Sequence, residues 1–191
     1  MAGTIILITG GARSGKSSFA ERCAAGAGRS VAYIATARME DDEMGERIRL
    51  HRQRRPAHWL TWEAPSAAQT AMEQAGCQAD IILFDCLTLY TANLMLAADA
   101  PRDREQRRQF VIDDIIRLLD SARATQKTVI FVTNEVGQGI VPDNPLAREF
   151  RDLAGAVNQL AAAAADKVYL TVCGLAIDVK KLSVDAGEID L

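Results

Sequence analysis

Five short runs of apolar, largely β-branched residues restrict the fold of this chain more than any other feature. They lie at residues 4–9, 31–36, 80–85, 128–133 and 167–172. Each run is apolar at consecutive positions, which is typical of strands covered on both faces in a parallel sheet. Helices are predicted between them, near residues 16–26, 40–54, 66–76, 87–98, 104–125 and 146–165. The alternation predicts right-handed βαβ units and a doubly wound α/β fold, with a mainly parallel sheet and helices on both faces.

Length and charge exclude several classes of protein. The 191 residues suit one domain, which we expect at residues 1–182, followed by a frayed tail at 183–191. The 25 acidic residues outnumber the 22 basic ones, which argues against a nucleic-acid binder. No apolar run approaches the ~20 residues that span a bilayer, and no signal peptide is expected. The four scattered cysteines form no Cys-x-x-Cys pair, which favours a reducing cytoplasm over a disulfide framework.

A glycine-rich segment directly after the first run matches the phosphate-binding pattern G-x-x-x-x-G-K-[ST]. In this context glycines let backbone amides close around phosphates, and the helix that follows adds its positive dipole. Lys16 would neutralise phosphate charge and the Ser17 hydroxyl would bind Mg²⁺; the alternative is a glycine-rich turn with a solvated lysine. The segment predicts a P-loop NTPase-type fold whose nucleotide contacts are Gly10, Gly11, Ala12, Arg13, Ser14, Gly15, Lys16 and Ser17.

Asp85 ends the third apolar run, where a Walker B carboxylate would bind Mg²⁺. The alternative is that Asp85 caps the next helix through backbone amides. Residues 86–88 read Cys-Leu-Thr and residues 133–136 read Thr-Asn-Glu-Val. The Asp-x-x-Gly and Asn-Lys-x-Asp motifs of a signalling GTPase are therefore absent, and that class is excluded.

The segment 41–55 begins acidic and ends basic, a polarity that suits a helix dipole. Its basic end holds His51, one of two histidines in the chain. Imidazole among arginines has its charged form disfavoured. A neutral imidazole is a competent nucleophile towards phosphorus, and guanidinium groups hold phosphate oxygens. The structural alternative also stands, because His51 follows Met44 and Ile48 at helical spacing and could flank a core stripe.

Three other polar residues have structural interpretations. His58 follows a proline in a predicted turn and is expected to pack beside Trp59. Arg148 and Arg151 lie three positions apart on a predicted helix. They could bind a substrate phosphate or a neighbouring subunit's nucleotide, but we expect surface pairs with Glu149 and Asp152.

Several segments together resemble one known family. They are ILITGGARSGKS, YIATA, DDEM, RPAHW and TNEVGQGIVP, within residues 4–180. The chain resembles the bifunctional adenosylcobinamide kinase/adenosylcobinamide-phosphate guanylyltransferases of cobalamin biosynthesis. The resemblance implies phosphorylation of adenosylcobinamide by ATP or GTP, then transfer of GMP from GTP through a GMP–histidine intermediate. The histidine falls on His51; where some relatives carry a second histidine this chain has Leu50.

The resemblance also implies further site residues and partners. Asp85 takes a position where relatives can have Glu, so a carboxylate is kept. Expected partners are Mg²⁺, adenosylcobinamide and its phosphate, in a homo-oligomer for which a trimer is the expected form. Lys16 and His51 are the expected catalytic residues. Beyond the P-loop, the implied nucleotide contacts are Ala35, Thr36, Ala37, Arg52, Gln53, Arg54, Arg55, Glu63 and Asp85.

Two rival functions share the same P-loop. One is a small-molecule kinase without a covalent intermediate. The other is a nucleotide-controlled binding module that hydrolyses slowly or not at all. The chain has no base-reading motif, so guanine selectivity follows from the resemblance alone.

Overall fold

The computed structural model describes residues 3–38, 49, 55–185 and 187. The strands in this part of the chain are β1 (Thr4–Gly10), β2 (Val31–Ala35), β3 (Leu60–Glu63), β4 (Ile81–Asp85), β5 (Thr128–Val132), β6 (Lys167–Val172) and β7 (Leu175–Asp178). The helices are α1 (Lys16–Gly26), α2 (Ala68–Gln78), α3 (Leu87–Met95), α4 (Arg104–Ala124), α5 (Pro145–Ala164) and α6 (Val179–Leu182). Of the helix predicted at 40–54, Arg49 is helical and residues 40–48 and 50–54 lie outside the described residues.

The strands form one sheet in the order β3-β2-β4-β5-β1-β6-β7. All neighbouring pairs are parallel except β6 and β7, which are antiparallel. Strand β5 lies between β1 and β4, and its Val132 is in register with Ile8 on one side and Asp85 on the other. The carboxyl ends of β1, β5 and β4 therefore meet at one edge of the sheet.

Successive residues of the central strands face opposite layers of the core. In β4, Phe84 packs in the cluster that includes Met72 of α2 and Leu118 of α4, whereas Leu83 packs with Ala20 of α1. Both layers are buried, which explains why these strands are apolar at every position. The predicted α/β class, with a mainly parallel sheet and helices on both faces, is confirmed.

Local signals define the helix ends. Helix α4 begins after Asp103, whose carboxylate accepts a 2.9 Å hydrogen bond from the Gln106 amide. Helix α5 begins at Pro145 after Asn144, whose side chain accepts from the Leu146 amide at 2.8 Å. No helix among the described residues combines the length and the apolarity needed to cross a membrane.

The five predicted strands are confirmed to within one residue at each end. The prediction missed β3, β7 and the short helix α6 at the end of the described chain. The division of the chain at residue 182, with a frayed tail beyond it, stays a prediction.

Candidate active site

The P-loop joins the end of β1 to the start of α1. Gly15 is the N-cap of α1, and its φ of 98° lies in the left-handed region that favours glycine. Lys16 is buried, and its ammonium group donates a 3.0 Å hydrogen bond to the carbonyl oxygen of Gly11. Burial lowers the pKa of Lys16, and the neighbouring Cys86 and Asp85 side chains act in the opposite direction. The loop thus holds a desolvated cation close to the carboxylate that ends β4.

The turn between β6 and β7 supports the P-loop from outside. The Gly174 amide donates a 2.9 Å hydrogen bond to the Ser14 carbonyl oxygen. The Thr171 hydroxyl donates to the Thr9 carbonyl oxygen at 3.1 Å and lies 2.8 Å from the Ser14 hydroxyl. Because the single Thr171 proton goes to Thr9, Ser14 is the donor in the second contact. A Cβ added to Gly15 would lie 3.0 Å from the Gly174 Cα, so the packing is close.

Asp85 accepts a 2.8 Å hydrogen bond from the Tyr33 hydroxyl on its Oδ2 atom. Burial raises the pKa of Tyr33 well above its usual value, so Tyr33 is a neutral donor. The N-cap of α3 is Cys86, whose Sγ accepts from the Leu89 amide at 3.5 Å. The alternative that Asp85 caps this helix is therefore wrong, because Asp85 is still part of β4.

Arg55 is the one member of the predicted segment 52–55 that the structure describes; His51, Arg52, Gln53 and Arg54 lie outside the described residues. Its Cζ atom lies 3.4 Å from the centroid of the Tyr33 ring. Its Nε is buried with no hydrogen-bond partner among the described residues. The stacking places Arg55 beside the tyrosine that contacts Asp85.

The Ala35-Thr36-Ala37 segment follows β2 at the same edge. Thr36 is fully buried, and its hydroxyl donates to the Cys86 carbonyl at 2.9 Å and accepts from the Cys86 amide at 2.7 Å. The Thr36 hydroxyl is thus already hydrogen bonded to the protein backbone. Glu63 ends β3, in register with Ala35, and is exposed. Direct nucleotide contacts by Ala35, Thr36, Ala37 and Glu63 stay predictions.

The structure also shows the surroundings of His58 and of two arginines of α5, Arg148 and Arg151. His58 is exposed in the turn before β3, whereas Trp59 is buried. Arg151 forms the expected ion pair with Asp152, at 3.4 Å. The expected Arg148–Glu149 pair is wrong, because Arg148 donates to two carbonyls of the preceding loop at 2.7 and 2.8 Å. Glu149 instead accepts two 2.8 Å hydrogen bonds from the Arg107 guanidinium.

Sequence reasoning missed three residues that contact the P-loop or its strand. Thr171 and Gly174 belong to the hairpin described above, and Glu135 follows β5. The Glu135 amide donates to the Gly10 carbonyl oxygen at 3.0 Å. A glycine two residues after the end of a predicted strand was the available signal for Gly174. Glu135 lies in the TNEVGQGIVP segment that carries the resemblance, but the segment by itself assigns Glu135 no role, and the local pattern around Thr171 predicts only a strand.

The strand order and the buried lysine together make this chain a P-loop nucleotide-binding protein. An ATPase from the type III secretion system of pathogenic bacteria shares the fold, with a TM-score of 0.59 and 17% identity over 97% of this chain and 61% of that one. The chain belongs to the family described as cobinamide kinase / cobinamide phosphate guanyltransferase, whose model matches residues 6–179. The resemblance drawn from the sequence is confirmed.

Three curated relatives are similar over nearly the whole chain. The bifunctional adenosylcobalamin biosynthesis protein CobU of Salmonella typhimurium is 46% identical over 92% of this chain and 99% of its own. CobU of Escherichia coli is 41% identical over the same shares. The bifunctional protein CobP of Pseudomonas aeruginosa is 43% identical over 91% of this chain and 96% of its own.

Proposed function

We propose that this enzyme phosphorylates the hydroxyl of the aminopropanol arm of adenosylcobinamide with ATP or GTP. It then transfers GMP from GTP to the phosphorylated corrinoid, through a GMP adduct of His51. Family membership supports the two activities. The single observation that carries the site assignment is the buried Lys16 ammonium, held on the Gly11 carbonyl beside the end of β4.

Both reactions use one triphosphate cradle in this proposal. Backbone amides of residues 10–17 and the start of α1 bind the β- and γ-phosphates. Lys16 is already desolvated, so its charge acts on a bound phosphate with little solvent screening. In the kinase reaction the γ-phosphoryl group moves to the acceptor hydroxyl. In the guanylyl reaction the same grip presents the α-phosphorus to a nucleophile.

Mg²⁺ fits the residues at this edge. Asp85 and the Ser17 hydroxyl would supply oxygen ligands, which Mg²⁺ prefers, and phosphate and water would supply the others, as in other nucleotide sites. The described residues hold no group of three His, Cys, Asp or Glu side chains that could bind a metal ion by themselves. Asp85 Oδ2 accepts from Tyr33, which fixes the carboxylate. When bound, the ion neutralises charge on the triphosphate.

His51 is the proposed nucleophile of the second reaction. Its ring nitrogen attacks the α-phosphorus of GTP, the bond to the pyrophosphate oxygen breaks, and pyrophosphate leaves. The phosphoramidate then donates GMP to a phosphate oxygen of the corrinoid, which regenerates the imidazole. We assign nucleotide contacts to Arg52, Gln53, Arg54 and Arg55. Arg55 stacks on Tyr33, which contacts Asp85, and this contact supports the assignment of the segment to the nucleotide site.

The remaining proposals concern other contacts and surroundings. Ala35, Thr36, Ala37 and Glu63 contact the nucleotide from the ends of β2 and β3. The protein is a cytoplasmic homo-oligomer, with a trimer as the expected form. These assignments are supported by the resemblance of the sequence to the family.

Incubation with GTP labelled at the α-phosphorus tests the proposed function. We expect about one GMP per chain, in an adduct that is labile to acid and stable to alkali, as a phosphoramidate is. His51→Ala should abolish labelling. His58→Ala is the matched control, because it removes the other histidine, which is exposed in a turn. If the His51→Ala variant is still labelled, His51 is not the nucleophile. If the wild type is not labelled, the protein is a kinase without a covalent intermediate or a nucleotide-controlled binding module.

A further inference from the structure

Glu135 lies beside the P-loop strand. It follows β5, which is hydrogen bonded to β1 on one side and to β4 on the other. Its amide donates to the Gly10 carbonyl oxygen at 3.0 Å, where β1 enters the P-loop. The side chain therefore stands at the sheet edge between the phosphate loop and the strand that ends in Asp85.

The Glu135 carboxylate is held by one of its two oxygens. Oε1 accepts a 2.9 Å hydrogen bond from the Asn158 amide group and a 3.2 Å bond from the Thr9 hydroxyl. No residue in the described part of the chain donates a hydrogen bond to Oε2. The side chain is half-buried. One oxygen is thus fixed while the other keeps its capacity to accept a proton.

A network of polar side chains positions Asn158. Its Oδ1 accepts from the Thr133 hydroxyl at 2.6 Å, and its Nδ2 also donates to the Asn134 carbonyl at 3.0 Å. The Thr133 hydroxyl lies 3.1 Å from that of Thr88, which in turn accepts from the Asn134 amide at 2.7 Å. Thr88 and Thr133 are buried. Burying polar groups is unfavourable unless they are hydrogen bonded. In this network the buried hydroxyl groups of Thr88 and Thr133 are hydrogen bonded, and through Asn158 the network holds the Glu135 carboxylate in position.

The other carboxylates that end strands at this edge are less suited to take a proton from an acceptor. Asp85 accepts from Tyr33 and is the proposed magnesium ligand. Glu63 ends β3, which β2, β4 and β5 separate from the P-loop strand. Of these three carboxylates, Glu135 follows the strand that lies nearest to β1 and its phosphate loop in the sheet order.

We propose that Glu135 is the general base of the kinase reaction; this inference rests on the proposed function. Its Oε2 takes the proton of the acceptor alcohol as the alcohol oxygen bonds to the γ-phosphorus. The bond between the γ-phosphorus and the β–γ bridging oxygen breaks, and the nucleoside diphosphate leaves with the electron pair. Guanylylation needs no such base, because a neutral imidazole nitrogen attacks with its own lone pair. The two reactions therefore depend on Glu135 to different extents.

Two variants of Glu135 separate basicity from shape. Glu135→Gln keeps the size of the side chain and an Oε1 acceptor for Asn158 and Thr9, but it cannot take the proton. Glu135→Asp keeps a base and shortens the side chain. Single-turnover phosphorylation of adenosylcobinamide by γ-labelled ATP should fall about 100-fold or more in Glu135→Gln. It should fall less in Glu135→Asp, whereas a purely structural role predicts the reverse order.

Self-guanylylation by α-labelled GTP, measured on the same preparations, should change by less than about threefold in Glu135→Gln. Glu73→Gln, an exposed position on α2, is the matched control and should leave both rates unchanged. An equal loss of both reactions in Glu135→Gln would overturn the proposal and indicate a binding role. Retained phosphorylation would overturn it too. A wild type that labels itself with GMP but phosphorylates no acceptor would overturn both the base and the proposed kinase reaction.

Discussion

The Gly174 amide donates a 2.9 Å hydrogen bond to the carbonyl oxygen of Ser14, so the turn between β6 and β7 contacts the P-loop directly. The Thr171 side chain adds a second link through the Ser14 hydroxyl. Gly174 has a φ of 80°, a conformation that a glycine adopts without strain. The conformation of the phosphate loop therefore depends on a hairpin at the other end of the chain.

Thr171→Val should weaken this support. The substitution removes the donor to the Thr9 carbonyl and the acceptor for the Ser14 hydroxyl, while the side chain keeps its shape. We expect a loss of about 1–2 kcal/mol in the free energy of unfolding, measured by denaturant titration. Nucleotide affinity, measured by calorimetry, should fall as well. Thr171→Ser keeps the hydroxyl and is the control; a Val variant with wild-type stability and affinity would contradict the linkage.

Lys16→Ala should impair phosphorylation and self-guanylylation together, each by about 100-fold or more. The reason is that both reactions share one triphosphate cradle, in which Lys16 supplies a buried positive charge. Radiolabel transfer from γ- and α-labelled nucleotides measures the two rates. Lys167→Ala, an exposed position at the start of β6, is the control. Intact guanylylation in Lys16→Ala would argue for separate nucleotide sites.

Tyr33→Phe should affect the use of Mg²⁺. It removes the hydroxyl that donates to Asp85 and keeps the ring on which Arg55 stacks. Because Asp85 loses the donor that orients it, the Mg²⁺ concentration for half-maximal phosphorylation should rise. The free energy of unfolding should fall by about 1 kcal/mol. Tyr169→Phe, at a half-buried tyrosine of β6, is the control. An unchanged Mg²⁺ dependence would contradict the assignment of Asp85 as a magnesium ligand.

The central sheet could be predicted because burial on both faces leaves a continuous apolar signal, as in β4. The sheet edges could not. Strand β3 is mostly exposed, and β7 carries Leu175 and Ile177 in exposed positions, so neither shows a pattern of two-sided burial. Propensity is a weak guide for such edge strands, because pairing with a neighbour determines them.

The P-loop could be predicted because its chemistry depends on residues adjacent in sequence. The supporting contacts depend on residues that only the fold brings together. Asn158 lies in the middle of α5, where the local pattern predicts nothing but a helix, and yet it positions Glu135. Tyr33 has the sequence environment of a core residue, but its hydroxyl reaches Asp85. Contacts of this kind follow from strand order, which a single sequence does not specify.

Asp166 should make the stability of the fold depend on pH. Its Oδ2 accepts from the Arg123 guanidinium at 2.8 Å and from the Ile5 amide at 2.7 Å. These hydrogen bonds, that of Arg123 first, lower the pKa of Asp166 below its usual value of 3.8. A carboxyl group with a depressed pKa in the folded state stabilises the fold above its unfolded pKa, and that contribution is lost as the pH falls through the folded pKa.

Asp166→Asn should therefore lower the free energy of unfolding at pH 7 by about 1 kcal/mol, because the pair is partly exposed and screened by solvent. The difference from wild type should shrink as the pH falls below about 4, since the wild-type carboxyl group is then protonated as well. Urea titrations at several pH values measure this difference in the free energy of unfolding. Asp120→Asn, exposed on α4, is the control. A difference that stays constant down to pH values well below the usual pKa would show that the charge of Asp166 is not what stabilises this junction.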